Sequence, residues 1–366
     1  MKNCYYKLEY DKILQILSNY CKTDIGKDIS LNLEPSNNKL EVKHLQSETT
    51  EAVNLTSKLG NSPIYFLPNI NLWLKYLESG NSLSAKALLE IGKTLKLSRE
   101  LKSYFFDNKE IDLGNFPILL DKFNLLYTNT QIENSIFKSI IDENTISDDA
   151  STTLSSLRRN RRRLEQEIKD KLNSMIHSST YSKYIMEAIV TIRNDRYVIP
   201  VKIEHKDNIK GFVHDISSSG STVFIEPMTI FELNTKISNL KVEENIEIEK
   251  ILKNISMSLF PIYENIKEDT VIIGELDFIF AKANYSKNIS GIEPHINENK
   301  EINLYKARHP LIDKTKVVPI DISLGKDYNS LIITGPNTGG KTVTLKTVRP
   351  SYINGRKWTS YSYKWK

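Results

Sequence analysis

Cysteine is scarce in this chain. Its 366 residues include two, Cys4 and Cys21, without Cys-x-x-Cys spacing or a paired histidine, which argues against a disulfide framework or a zinc site. The six histidines (His44, His177, His205, His214, His295, His309) have no metal-ligand spacing either. Glycine (14) and proline (12) are few, below the roughly 7 and 5 per hundred of average chains, and this favours long helices over a turn-rich all-β fold. No run approaches the roughly 18 apolar residues of a membrane-spanning helix. The start, MKNCYYKLEYDK, lacks the apolar stretch of a secretory signal. These absences predict a cytoplasmic protein with no membrane contact.

What is present is an ordinary balance of 39% hydrophobic and 26% charged residues, at a length that suggests two to three domains. The net charge of +5 has a local origin. Residues 349–366 hold Arg349, Arg356, Lys357, Lys364 and Lys366 and no acid, so residues 1–348 are neutral. The basic pI therefore reports the tail and carries no weight for a nucleic-acid surface.

Residues 1–150 read as a helical scaffold. Ile13, Leu14, Leu17 and Tyr20 share one helical face. Pro35 and the residues after it break the chain before a polar helix near 39–58. Ser84 is a plausible N-cap for a helix carrying Leu88, Leu89, Ile91, Leu95 and Leu101. From 151 the pattern narrows to a coiled-coil-like seam of Leu154, Leu157, Leu164, Ile168, Leu172 and Met175. It predicts a helix to about residue 188, roughly 55 Å long. A second seam (Leu233, Ile237, Leu240, Ile248, Ile251, Ile255, Leu259) predicts a returning helix over about 232–265. Between them, 197–203, 212–216 and 222–225 are β-rich runs, and Ser217–Ser221 is a turn. Helix, small sheet, returning helix describes a lever with a tip suited to reaching around something. The predicted organisation is a helical core (1–150), a lever helix (151–190), a β clamp (191–231), a returning lever helix and core (232–290), an ATPase-type fragment (291–348) and a basic tail (349–366). The fold class is mainly α with a small β clamp insert and an α/β P-loop fragment.

Chemistry concentrates in Gly335-Pro336-Asn337-Thr338-Gly339-Gly340-Lys341-Thr342, which fits Gly-x4-Gly-Lys-[Ser/Thr]. A short buried strand, Leu331 to Ile333, is predicted before it, and a helix after it. The glycines let backbone N–H groups turn inward around a phosphate chain, and the helix points its positive end at the same place. Lys341 would neutralise the β- and γ-phosphates and Thr342 would ligate Mg²⁺, making ATP and Mg²⁺ the expected ligands. Hydrolysis also needs a Walker B acid. None of the 24 residues after Thr342 is Asp or Glu. The acid-ending segment Val271 to Asp277 reads instead as an ordinary packed helix.

Other candidates are weaker. Arg158, Arg159, Arg161, Arg162 and Arg163 could neutralise phosphates, or form a solvated helix face paired with Glu165 and Glu167. His214 and Asp215, adjacent in a strand, are expected on opposite faces and so make a poor dyad. His309, before Pro310, reads as a structural turn residue.

Ala307-Arg308-His309-Pro310-Leu311, then Val317-Val318-Pro319-Ile320-Asp321, then Ile333 through Leu345 together resemble the start of the MutS ATPase domain. The variant Gly-Pro-Asn-Thr-Gly-Gly-Lys-Thr-Val-Thr-Leu-Lys is similar to the bacterial MutS paralogue of the second type, not to the mismatch-repair protein. Arg196 to Lys202 and Val213 to Pro227 look like that paralogue's clamp. The resemblance covers residues 1 to about 348. It implies an ATP-dependent homodimer whose levers and clamps embrace branched or duplex DNA, or a ribosome and its rRNA, with roles in suppressing recombination or in splitting collided ribosomes. It implies Gly335 to Thr342 as phosphate and Mg²⁺ ligands and Val317 and Val318 as adenine contacts. Full-length members carry a C-terminal Smr nuclease domain. The mismatch-reading domain and its connector are expected to be absent, because lever-type sequence starts at residue 1. Phe224-Ile225-Glu226 mimics the Phe-x-Glu mismatch wedge but falls in a clamp strand.

The sequence departs from the family after Val348. Arg349-Pro350 should stop the P-loop helix, and the tail reads as a frameshift or mis-called gene end, or else a short form with a basic aromatic tail. Without Walker B, this polypeptide alone is expected to hydrolyse ATP negligibly. Three readings follow: an ATP-dependent nucleic-acid clamp, a non-enzymatic nucleic-acid- or ribosome-binding fragment, and an SMC-like ATPase. The last is disfavoured because SMC-type chains put the P-loop ahead of their arms.

Overall fold

The computed structural model describes residues 9–36, 38–297, 299, 301–313, 315–335, 340–345 and 347–348. The first helices are α1 (Tyr10–Ser18), α2 (Asp24–Leu31), α3 (Lys39–Leu59), α4 (Asn71–Glu78) and α5 (Ala85–Phe106). Next come α6 (Pro117–Leu125) and α7 (Thr130–Ser139), then a small hairpin of β1 (Ile140–Asp142) and β2 (Thr145–Ile146). α8 (Thr152–Ile176) precedes the strands β3 (Thr191–Arg193), β4 (Arg196–Lys202), β5 (Gly211–Ile216) and β6 (Thr222–Pro227). α9 (Met228–Leu259), α10 (Tyr263–Ile289), β7 (Ile302–Ala307) and β8 (Ile320–Leu324) follow. Helices dominate, and each sheet is small and antiparallel. No helix among the described residues is long and apolar enough to cross a membrane.

The chain forms two compact units. One comprises Met1–Asn81, Glu90–Glu133 and Leu259–Lys366, the other Ser82–Leu89 and Asn134–Ser258.

The first unit is organised around α10, buried on most sides as its apolar run Phe278-Ile-Phe-Ala requires. Ile273, Leu276 and Phe280 pack with Leu55 of α3, Leu97, Leu101 and Phe105 of α5, and Phe123 of α6. The Phe105 and Phe123 rings stack at 4.4 Å. Cys21 is buried, and burial pushes its thiol up to about 12. The segment Val271–Asp277 lies inside α10, as the packed-helix reading predicts. Asp277 is buried and accepts from Lys22 N–H (2.8 Å), Thr23 N–H (2.7 Å) and the Thr23 hydroxyl (2.8 Å).

Asp269, one turn before Ile273, is also buried. It accepts from the Ser98 hydroxyl (2.6 Å) and Tyr127 N–H (2.7 Å). Burial nonetheless raises its carboxyl from 3.8 to about 6. The native state thus holds a proton that the unfolded chain has released, and stability falls as pH rises from about 4 to about 6. Asp269→Asn keeps an acceptor for Tyr127 N–H and offers an N–H to the Ser98 oxygen, whose own proton then goes to the Thr94 carbonyl, 3.2 Å away. It should stabilise the chain at pH 7.5 by on the order of 2–3 kcal/mol and leave it little changed at pH 4. Urea titrations at both pH values check this.

In the second unit, β3-β4-β6-β5 form one sheet. One face packs on the two long helices. Ile199, Val201, Val223 and Ile225 meet Leu164, Ile168 and Leu172 of α8 and Leu233 and Ile237 of α9. Both predicted seams are therefore core-facing, but the helix limits differ. α8 ends at Ile176, 25 residues and about 38 Å long, not at 188. The polar run His177-Ser-Ser-Thr offers no further seam residue, and Ser178 Oγ caps Tyr181 N–H at 3.3 Å. The returning helix stops at Leu259, where Pro261 enforces a 3-10 turn over Phe260–Ile262 before α10 begins.

Candidate nucleotide-binding loop and clamp sheet

β7 and β8 pair antiparallel and bury Leu304 and Ala307. Ile320, Ile322 and Val348 pack on the same cluster. Val348 thereby seats the helix that starts at residue 341. The expected strand before the loop is not formed. Residues 331–334 have no regular structure, and Ile332 is 84% exposed. An apolar strand of this type is stable when paired and covered, and no strand pairs with it among the described residues.

Gly335 (φ +144°) and Gly340 (φ +79°) both take backbone angles that side chains resist. Among the described residues a Cβ at either site would meet no atom within 4 Å, so conformation and not crowding calls for glycine there. Gly340 then opens the helix, its carbonyl accepting from Thr344 N–H (2.9 Å) and from the Thr344 hydroxyl (3.1 Å). Lys341 and Thr342 occupy the first turn, half-buried and exposed respectively. The first-turn N–H groups of such a helix have no partner within it, so this start of helix suits a phosphate. Pro336, Asn337, Thr338 and Gly339 lie outside the described residues, as does the predicted stop at Arg349-Pro350 with the tail.

Val343, next in the helix, lines a groove of about 540 Å³ with Lys12, Gln15 and Ile16 of α1, His309 and Leu311. His309 is a turn residue whose carbonyl accepts from Ile312 N–H (3.2 Å) and whose Nδ1 accepts from Leu311 N–H (3.2 Å). Val318 is 77% exposed and Val317 half-buried.

The arginine cluster of α8 splits. Arg158 pairs with Asp148 (2.7 Å), Arg161 with Glu244 (2.6 Å) and Glu165 (2.9 Å), and Arg162 with Asp148 (2.8 Å). The two arginines hold the Asp148 carboxyl below its ordinary value. Arg159 and Arg163 are exposed.

In the clamp sheet a bulge separates Val213 from Asp215, so Asp215 registers with Phe224. The side chains of His214 and Asp215 consequently lie on the same face, not on opposite faces, because the extra residue cancels the strand's alternation. They still form no dyad. His214 Nε2 meets Glu226 at 2.6 Å, and Asp215 meets Arg193 at 3.3 Å. Glu226 is fully buried and also accepts from Arg196 (3.1 Å) and Asn234 (2.7 Å). Phe224 lies beneath Arg193, with 4.2 Å from guanidinium to ring. The sequence reading missed this network. The signal was available as an acid, Glu226, directly after the apolar run Thr222-Val-Phe-Ile225 and within the same strand.

A helical body, an antiparallel sheet between two long helices and a Walker A-type loop, in that chain order, describe a MutS-type chain. No family model matches it. It is 44% identical to a protein named Endonuclease MutS2 from Acetivibrio thermocellus over 341 residues, 93% of this chain. It is 43% identical over the same share to proteins of that name from Finegoldia magna and Clostridioides difficile. This chain belongs to the MutS2 branch of the MutS family. It spans 43% of the length of each of these relatives.

Proposed function

We propose that this chain is a nucleotide-binding, nucleic-acid-gripping part of a MutS2-type protein. ATP with Mg²⁺ is the ligand of the loop. The observation that carries this reading is the pair of positive-φ glycines, Gly335 and Gly340, leading into a helix headed by Lys341 and Thr342. These residues fit the group. Lys341 would hold the terminal phosphates and Thr342 the Mg²⁺, which supplies charge neutralisation when bound. Val317 and Val318, the first partly and the second largely exposed, would offer apolar surface to the adenine. The two long helices and their sheet would form the lever and clamp, with branched or duplex DNA as partner and a second copy as the dimer mate. Arg159 and Arg163 are the cluster members open to phosphates.

The test is a titration of the 366-residue chain with a fluorescent ATP analogue and Mg²⁺. Binding that Lys341→Ala abolishes supports the reading. Nucleic-acid binding without any nucleotide binding would leave the non-enzymatic fragment as the function.

A further inference from the structure

The hairpin of β3 and β4 turns through Asn194 (φ 49°) and Asp195 (φ 61°). It bends over the face of β6 and reaches β5, where Asn194 Nδ2 donates to the His214 carbonyl at 3.0 Å. Asp195 ties the turn to Lys241 of α9 at 2.7 Å. Arg193 is thereby placed over the Phe224 ring, its guanidinium carbon 4.2 Å from the ring centroid and its Nε 3.3 Å from Asp215 Oδ2.

This arginine differs from Arg158, Arg161 and Arg196 of the same unit. Arg158 and Arg161 are largely enclosed and each meets two carboxylates. Arg196 serves the buried Glu226. The Arg193 and Asp215 side chains are 41% and 48% exposed and share one long contact. A pair of that kind contributes little, because solvent and salt screen it. Asp215 does not depend on it, because its Oδ1 accepts from Ile216 N–H at 2.8 Å. Arg193 can therefore change partners without orphaning a buried group. The ring beneath it holds the guanidinium in place, and a planar fork can give a phosphate two parallel hydrogen bonds where Asp215 takes one long contact.

We propose that Asp215 is an internal stand-in for a nucleic-acid phosphate. It occupies Arg193 in the free clamp, and a backbone phosphodiester displaces it, with Phe224 as the positioning residue that keeps the guanidinium in place. This rests on the nucleic-acid reading above and adds a built-in competitor to it. The shared ligand chemistry is the phosphodiester, whether from DNA or RNA.

The experiment uses the full chain with a labelled 30-base-pair DNA duplex and the RNA duplex of the same sequence, over a series of salt concentrations. Arg193→Gln should weaken binding and lower the slope of log affinity against log salt by about 0.9, the value of one phosphate contact on DNA. Asp215→Asn should tighten binding about two- to fivefold, the worth of the exposed pair it removes. Phe224→Leu should weaken binding with the slope unchanged, and Arg193→Lys should keep the slope but not the full affinity. Far-UV circular dichroism confirms each fold. Wild-type binding with both Arg193→Gln and Asp215→Asn indistinguishable from it overturns this proposal and leaves the nucleic-acid reading standing. No wild-type binding to either duplex overturns both. A variant effect on one duplex alone identifies the source of the phosphate.

Discussion

Glu48→Ala should lower the stability of the first unit by about 3–5 kcal/mol. Glu48 of α3 and Lys282 of α10 form an ion pair in the helical core, with side chains 5% and 0% exposed. The ammonium also lies 4.8 Å from the Phe278 ring. Burial drives the Lys282 pKa down, and Glu48 pulls it back up. Removing the carboxylate leaves the burial penalty without its main compensation. The native chain then binds fewer protons than the unfolded one, so the deficit should shrink as pH rises toward the ordinary lysine value. The double variant Glu48→Leu with Lys282→Met should recover to within about 1 kcal/mol of wild type, because a well-packed apolar pair avoids both desolvations. Urea midpoints for the single and double variants decide it. A single variant within about 0.5 kcal/mol of wild type would contradict this account of the core.

Asp277→Ala should cost about 3 kcal/mol and leave nucleotide binding unchanged. Its carboxylate serves Lys22 N–H, Thr23 N–H and the Thr23 hydroxyl. Truncation leaves two backbone donors without their acceptor, at about 1–3 kcal/mol for each left buried. Burial holds the Asp277 pKa above its ordinary value even though three hydrogen bonds pull it down. In sequence this residue ends a segment that resembles a Walker B strand. In the structure it anchors the start of α2 to α10. A melting curve and an ATP-analogue titration on the same sample separate the two roles.

Much of this architecture is legible from residue spacing. The seams of α8 and α9 name the residues that face the sheet, because a narrow apolar stripe at helical period has one way to be buried. The Ser84 cap marks the start of α5, with Ser84 Oγ accepting from Ala87 N–H at 3.3 Å. The ends of the long helices are not legible in the same way. A helix limit depends on local competition, here the polar run after Ile176 and Pro261 after Leu259. The bulge at His214 is equally hidden, since alternation along β5 predicts opposite faces and pairing with β6 decides otherwise. At the loop, Gly340, Lys341 and Thr342 are where the motif puts them, at the head of a helix. The strand ahead of them is not, because a buried strand is a property of its neighbours and not of its own residues. The setting of Arg193 was also invisible: five arginines cluster on α8, yet it is the fold of a hairpin that places Arg193 over Phe224 and beside Asp215.

The most direct test of the nucleotide site is a side-by-side titration of three chains with a fluorescent ATP analogue and Mg²⁺: wild type, Lys341→Ala and Asp277→Ala. Wild type and Asp277→Ala should bind saturably, and Lys341→Ala should not bind. Binding by Lys341→Ala equal to wild type, or loss of binding in a folded Asp277→Ala chain, would contradict the assignment of the nucleotide site to the loop at Gly335–Thr342.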